Sequence, residues 1–159
     1  MLIHFFQDAL FSAIAAIGFA AISRPPRIAY RYCGLIAAIG HSARLLMMEC
    51  CGFHIVLATI VAAFMIGVMA VLLSPRCKVP AETFLYPSLL PMIPGIYAYR
   101  TFGALVICLS NGAEATFNHY FYLFSSNGLT CFFILLGMAV GATMPMFMMK
   151  KISFQATRR

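Results

Sequence analysis

The sequence predicts an all-α integral membrane protein of about five transmembrane helices, the fourth interrupted by prolines, with the N-terminus outside and the C-terminus in the cytoplasm. Three observations lead there. The 159-residue chain is 63% hydrophobic and only 9% charged, with a mean hydropathy of +0.93, whereas soluble domains carry about 25% charged residues. Its apolar residues fall in runs close to the ~20 residues that a helix needs to cross a bilayer. Its basic residues lie between those runs, where they set orientation. The length fits a single membrane domain, 1–159, closing on a basic cytoplasmic tail over residues 150–159.

Residues 2–22 are almost wholly apolar and read as the first span. A secretory signal peptide would have a basic n-region and a shorter apolar run. Ser12, Ala16 and Ala20 recur every four residues, a small-residue face for close helix packing. Asp8, near the helix start, reads as an interfacial carboxylate in preference to a proton carrier. Residues 23–31 form a basic loop in which Pro25 and Pro26 end the helix.

Residues 32–48 are a weaker apolar run. Helical spacing puts Gly34, Ala37 or Ala38, His41 and Arg44 or Leu45 along one face. An ionisable side chain inside a membrane segment faces protein or water, not lipid. His41 and Arg44 are three apart and can meet the same solute or the same carboxylate. The competing reading has Arg44 snorkelling to the interface and His41 making a structural hydrogen bond. Residues 49–54 form a connector, and 55–73 are a clear third span with small residues at Ala58, Ala62, Ala63 and Gly67. Residues 74–82 make a second basic loop carrying Arg76 and Lys78, bracketed by Pro75 and Pro80.

The fourth segment is organised around residues 87–100, where Pro87, Pro91, Pro94 and Gly95 crowd together. Proline removes a backbone N–H and clashes with the preceding turn, so a continuous helix is not expected. Residues 83–90 enter, the prolines interrupt, and 96–109 resume. Broken helices at membrane depth line solute paths, because only protein or water can satisfy the freed backbone groups. A helix starting after Pro94 and Gly95 presents unpaired N–H groups and a positive dipole end, which suits a carboxylate. Tyr97, Tyr99 and Arg100 follow within two turns. Arg100 is a candidate counter-charge, or else a partner for Glu82 or Glu114. The competing reading of the whole stretch is a proline-rich turn between two helices.

Residues 111–127 alternate polar and aromatic side chains and read as an interfacial helix, with Glu114 and His119 at the surface. Residues 129–149 are the last span, with Gly137-x-x-x-Gly141 as a packing face. With five spans, Arg24, Arg27, Arg31, Arg76, Lys78, Lys150, Lys151, Arg158 and Arg159, nine of the 11 Lys and Arg residues, fall on one side. The opposite side carries only Asp8, Glu49 and Glu114, which gives the stated orientation. A four-span reading without residues 32–48 loses this asymmetry.

Several function classes are excluded. The net charge of +7 does not mark a nucleic-acid binder, because the basic residues form no solvated, aromatic-interleaved face. The six cysteines, Cys33, Cys50, Cys51, Cys77, Cys108 and Cys131, make no C-x-x-C pair and no zinc-like spacing with histidine. They read as free thiols, with neither metal nor cofactor expected. No Ser/His/Asp arrangement, H-E-x-x-H or phosphate-binding glycine loop is present, so an enzyme is not expected.

Three blocks carry a family resemblance: Gly18-Phe19-Ala20, Gly40-His41-Ser42-Ala43-Arg44 and Pro91-Met92-Ile93-Pro94-Gly95-Ile96-Tyr97-Ala98-Tyr99. In order and spacing they resemble the small subunit of the split threonine/serine exporter (ThrE-like) family, YjjB type, over most of the chain. The resemblance implies a multi-pass protein of the bacterial inner membrane, corresponding to the second half of a longer exporter. It implies a larger YjjP-like partner subunit that supplies the first half, threonine, serine or succinate as solute, and use of the proton gradient. Residues 111–127 and the basic tail match no family block and take no role from it. Two five-span units of opposite orientation would make an inverted pair with the solute site at their interface.

The expected function is therefore a subunit of a secondary exporter for small carboxylate metabolites. Pro91, Pro94, Gly95, Ile96, Tyr97, Tyr99, Arg100 and Arg44 are the candidate solute-binding residues. His41, whose ordinary pKa of about 6.5 lets it change state near neutral pH, is the candidate proton carrier. With no carboxylate read deep in a span, a carboxylate relay would need the partner's side chains. The alternative is a scaffold or channel-forming subunit with no coupling role. Self-association and contact with the lipid bilayer are also expected.

Overall fold

The computed structural model describes residues 2–110, 113–149 and 152. All regular structure among them is helical: α1 (Leu2–Ser23), α2 (Arg27–Cys51), α3 (Ile55–Cys77), α4 (Glu82–Leu89), a 3-10 turn (Leu90–Met92), α5 (Gly95–Ser110) and α6 (Glu114–Met148). Four helices, α1, α2, α3 and α6, are long and apolar enough to cross a membrane. The count becomes five when the two pieces Glu82–Met92 and Gly95–Ser110 are taken as one broken span. This is the multi-pass, all-α architecture that the sequence predicts.

The helix ends differ from expectation in ways the backbone explains. The first basic loop shrinks to residues 24–26, because Pro26 has φ −53° and ψ 144° and directly precedes the first turn of α2. Arg27 and Arg31 therefore lie on α2. At its far end α2 runs on to Cys51, where Gly52 takes a left-handed φ of 64° and its N–H bonds Met47 O, a glycine helix stop. α3 continues through Pro75 to Cys77. Its exit is clasped by Ser74, whose hydroxyl donates to Val79 O at 2.7 Å while Val79 N–H donates to Ser74 O at 3.3 Å.

The chain divides into two compact units. The first holds α1 to α4, the 3-10 turn and the last part of α6 from Gly137. Its core is made of small side chains: Ser12, Ala16 and Ala20 from α1, Cys33, Gly34, Ala37 and Gly40 from α2, and Ala58, Ala62, Ala63, Gly67 and Ala70 from α3 are all buried. Phe84, Leu85 and Met92 supply the bulk. Helices in lipid gain little from apolar burial, so close backbone approach through small residues is what associates them. The end of α6 lies along α3. A Cβ on Gly141 would come within 2.6 Å of Ile60 O, and one on Gly67 within 2.6 Å of Ala142 O. Ile60 and Gly67 thus meet successive turns of α6, so the two helices run parallel here. The Gly137-x-x-x-Gly141 face packs as the sequence predicts.

The loops after α1 and α3 share one end of this unit. Ser23, Pro25 and Pro26 from the first line an open cleft of about 500 Å³ together with Lys78, Val79, Pro80 and Glu82 from the second. Two of the three basic segments therefore sit at the same end. Lys150, Lys151, Arg158 and Arg159, and with them the proposed basic tail, lie outside the described residues apart from Ile152.

The second unit holds α5 and the first part of α6, residues 93–136. Cys108 Sγ lies 3.7 Å from Phe117 O, and Gly128 meets Thr101 Cγ2. The two helices therefore pair antiparallel. The expected break after residue 127 is absent: residues 114–148 form one helix. Asn127 Nδ2 donates to Leu123 O at 2.7 Å within it, and Gly128 provides clearance for α5 rather than a turn. At 35 residues this helix is about 52 Å long at 1.5 Å per residue, beyond the ~30 Å hydrocarbon core. A separate interfacial helix is thus replaced by the extension of the last span. Asn111 lies outside the described residues.

Candidate functional site

The fourth segment breaks where the prolines dictate. Pro87 cannot supply the N–H that would bond Thr83 O. That carbonyl instead lies 3.5 Å from Cys33 Sγ, which donates to it from α2. One turn on, Ser88 Oγ donates to Cys33 O at 3.0 Å. These two bonds fasten α4 to α2 and let a proline sit inside a helix. The chain then tightens into the Leu90–Met92 turn and stops. Gly95 N–H bonds Ile93 O at 2.8 Å, Ala98 N–H bonds Pro94 O at 3.1 Å, and α5 begins. Because α4 starts at the end of the unit that holds the basic loops, its eight residues plus the turn reach about 18 Å into it.

The carbonyls at that point are engaged by α2. His41 Nε2 lies 3.2 Å from Pro91 O, and Arg44 donates from one terminal nitrogen to Met92 O at 3.3 Å. Arg44's other terminal nitrogen donates to His41 Nε2 at 3.0 Å. On its opposite side, His41 Nδ1 lies 2.7 Å from Asp8 Oδ2 of α1. His41 is 13% exposed and Asp8 28%, so this is a sheltered pair rather than a surface one. The C-terminal end of a helix carries partial negative charge, and here it faces a guanidinium and an imidazole.

The face predicted on α2 is the inward one: Gly34, Ala37 and Gly40 are buried and His41 and Arg44 follow in register. The structure brings Arg44, His41 and Pro91 together. It places the carbonyls of the 3-10 turn that ends the α4 piece against the charged residues. Pro94 is buried, while Gly95, Ile96, Tyr99 and Arg100 are exposed and Tyr97 is half-buried on the second unit. In that unit Thr101 Oγ1 donates to Tyr97 O at 2.7 Å. At the start of α5 the first N–H groups have no helical acceptor.

Three participants escape sequence reasoning: the Asp8 carboxylate and the Pro91 and Met92 carbonyls. Asp8, read as an interfacial carboxylate, is instead paired across helices, so a carboxylate next to the histidine comes from this chain itself. Its signal was present, since a lone acid in an apolar helix needs a partner, but which helix supplies that partner depends on packing. The Pro91 and Met92 carbonyls leave no mark in a sequence at all.

Comparison with known proteins gives the family of the chain. Residues 8–148 match the family described as "Threonine/Serine exporter, ThrE". The chain belongs to the threonine/serine exporter family. The match opens at Asp8 and includes His41, Arg44 and the whole broken segment. One curated relative, an uncharacterized protein of Haemophilus influenzae, is 39% identical over 99 residues, covering 62% of this chain and 33% of the relative. The matched part thus spans about a third of that relative's length. No solved structure matches the chain. Membership and the long apolar helices together make this a multi-pass membrane protein of that family.

Proposed function

We propose that the chain is a subunit of a bacterial inner-membrane secondary exporter for small carboxylate metabolites, threonine and serine or succinate-type dicarboxylates, coupled to protons through His41. The observation that carries this reading is the Asp8–His41–Arg44 cluster set against the carbonyl end of an interrupted helix. Ionisable residues inside spans are costly and mark ion paths and proton relays. Half-helix ends at a break are where such transporters hold coupling ions and solute. Arg44 supplies a cation for a carboxylate. The start of α5, set by Pro94 and Gly95, offers the backbone N–H groups of Ile96 and Tyr97 and a positive dipole end as a candidate carboxylate contact of its own, and Tyr99 and Arg100 lie on the same helix.

A larger YjjP-like subunit completes the transporter in this reading. The Haemophilus influenzae relative is about three times as long as the stretch that matches, which is in keeping with a working unit larger than this chain. The test is efflux from cells preloaded with labelled threonine, serine or succinate, comparing this chain alone, this chain with the larger family subunit, and neither. Faster efflux only with both supports a two-part exporter, and the preferred label names the solute class. Unchanged efflux in every combination, with both proteins confirmed in the membrane, removes these solutes and leaves a scaffold role.

A further inference from the structure

His41 Nε2 has two neighbours that make opposite demands on it. Arg44, 3.0 Å away, has only N–H groups to offer, so it requires a bare lone pair on Nε2. Pro91 O, 3.2 Å away, has only lone pairs, so it requires a proton on Nε2. One nitrogen cannot meet both. Nδ1 lies 2.7 Å from an Asp8 oxygen, and an ionised carboxylate only accepts. The proton of a neutral ring therefore sits on Nδ1, and Nε2 is left bare for Arg44.

From this conflict we infer that Asp8, His41 and Arg44 form a proton-operated latch that decides when Arg44 is available to a carboxylate. With His41 neutral, Asp8 fixes the Nδ1–H tautomer and Nε2 holds the guanidinium. When a proton arrives at Nε2, the ring becomes a cation, its new N–H turns to Pro91 O, and Arg44 loses its acceptor and faces a like charge. Arg44 keeps Met92 O, 3.3 Å away, and has a free set of donors for an anion. A carboxylate that takes Arg44 in turn favours the protonated ring, because linkage is reciprocal. Proton and carboxylate thus bind this site together and leave together, so in this latch export is driven by the solute's own outward gradient and the inward proton gradient expected from the family resemblance is not its driving force. Asp8 is a positioning residue: it acts on solute only through the tautomer it imposes.

The surroundings leave few other groups to produce this behaviour. On α1 the other titratable side chain near Asp8 is His4, one turn away and exposed. On α4, Glu82 and Tyr86 lie toward the start and middle, away from the carbonyl end. α3, which also packs on α2, carries no charged side chain from Ile55 to Pro75.

This inference rests on the coupling role proposed for His41, but its test does not need transport. The complex of this chain with the larger family subunit in lipid nanodiscs, with only this chain labelled with ¹⁵N-histidine and His41 assigned by His41→Gln, reports the protonation of each ring nitrogen. At alkaline pH the wild-type ring should be a single Nδ1–H tautomer with a bare Nε2, and Asp8→Leu combined with Arg44→Gln, which removes both groups that impose it, should release the Nε2–H tautomer. Adding succinate or threonine at a pH where the ring is neutral should convert it to the doubly protonated form, and Arg44→Gln should abolish that conversion. A wild-type Nε2–H tautomer overturns the latch without reference to any solute. Solute binding that leaves the ring neutral also overturns it, while the exporter reading survives. Absent binding with the Nδ1–H tautomer intact counts against these two solutes as latch ligands and against the carboxylate-exporter reading, and Arg44→Gln efflux then shows which.

Discussion

Gly141→Ala should loosen the seam between α3 and α6 out of proportion to its size. The added methyl would lie 2.6 Å from Ile60 O and 3.2 Å from Ala63 Cβ. Ordinary contact begins near 3.4 Å, so the helices must separate by about 0.8 Å. A gap of that order forfeits roughly a quarter to a half of the dispersion attraction of each atom pair it opens. Overpacking of this kind costs about 1–3 kcal/mol, a factor of about 5 to 150 in the folding equilibrium. Gly137→Ala should cost less. Its nearest neighbour, at 2.5 Å, is the Cγ1 of Ile60, a side-chain atom that a rotamer change can move, whereas a carbonyl on a helix cannot yield. Gly103→Ala on α5, with nothing within 4 Å, is the internal control. It should be neutral or gain the ~0.5–1 kcal/mol by which alanine exceeds glycine in a helix. Equilibrium unfolding in mixed micelles, scored by tryptic protection, gives the ranking directly. Gly141→Ala as stable as Gly103→Ala would refute the close approach of α3 and α6.

Other consequences follow from single contacts. Cys33→Ala removes the donor that Pro87 leaves Thr83 O depending on, and should cost about 1 kcal/mol in the same unfolding assay, while Cys33→Ser should recover most of it. His41→Ala should abolish proton-coupled efflux yet leave assembly with the larger subunit intact, which co-purification checks; efflux unchanged across several pH values would remove His41 from the path. Replacing Pro94 and Gly95 together by Ala should lengthen the helix across the break and stop efflux, and full efflux in that variant would make the break merely architectural. Gly40→Ala, whose methyl would lie 2.4 Å from Ile66 Cγ1, should be tolerated better than Gly141→Ala because that side chain can turn.

Much of the fold is written locally. The runs of apolar residues give the spans, and the four-residue spacing of Ser12, Ala16 and Ala20 identifies the buried face of α1 without any knowledge of its neighbours. The same holds for Gly137 and Gly141 on α6. The face of α2 that bears His41 and Arg44 was legible because an ionisable group inside a span has only one direction to go. Breaks were legible where a residue cannot comply, as at Pro94, and misleading where it can be helped. Pro75 costs α3 one bond and the helix runs on to Cys77. Asn127 and Gly128 resemble a turn, yet the asparagine bonds back into its own helix and the glycine makes room for Thr101.

The site was half legible for a related reason. Residue type and spacing indicate that His41 and Arg44 act together. They do not give the register in which α1 slides against α2, and that register brings Asp8 within 2.7 Å of His41. Nor do they tell which end of a broken helix meets the charge. The N–H end of α5 was the expected partner for a charged solute, whereas the groups that touch Arg44 and His41 are the carbonyls of Met92 and Pro91.

The central claim is that a carboxylate and a proton move through one site built on His41. The direct measurement uses vesicles containing this chain and the larger family subunit, loaded with labelled succinate or threonine and a pH-sensitive dye, with solute efflux and lumenal pH followed together. The account predicts a pH change that tracks solute efflux and vanishes in His41→Gln complexes that remain assembled. Efflux with no accompanying pH change, or an identical pH change in the variant, would contradict it.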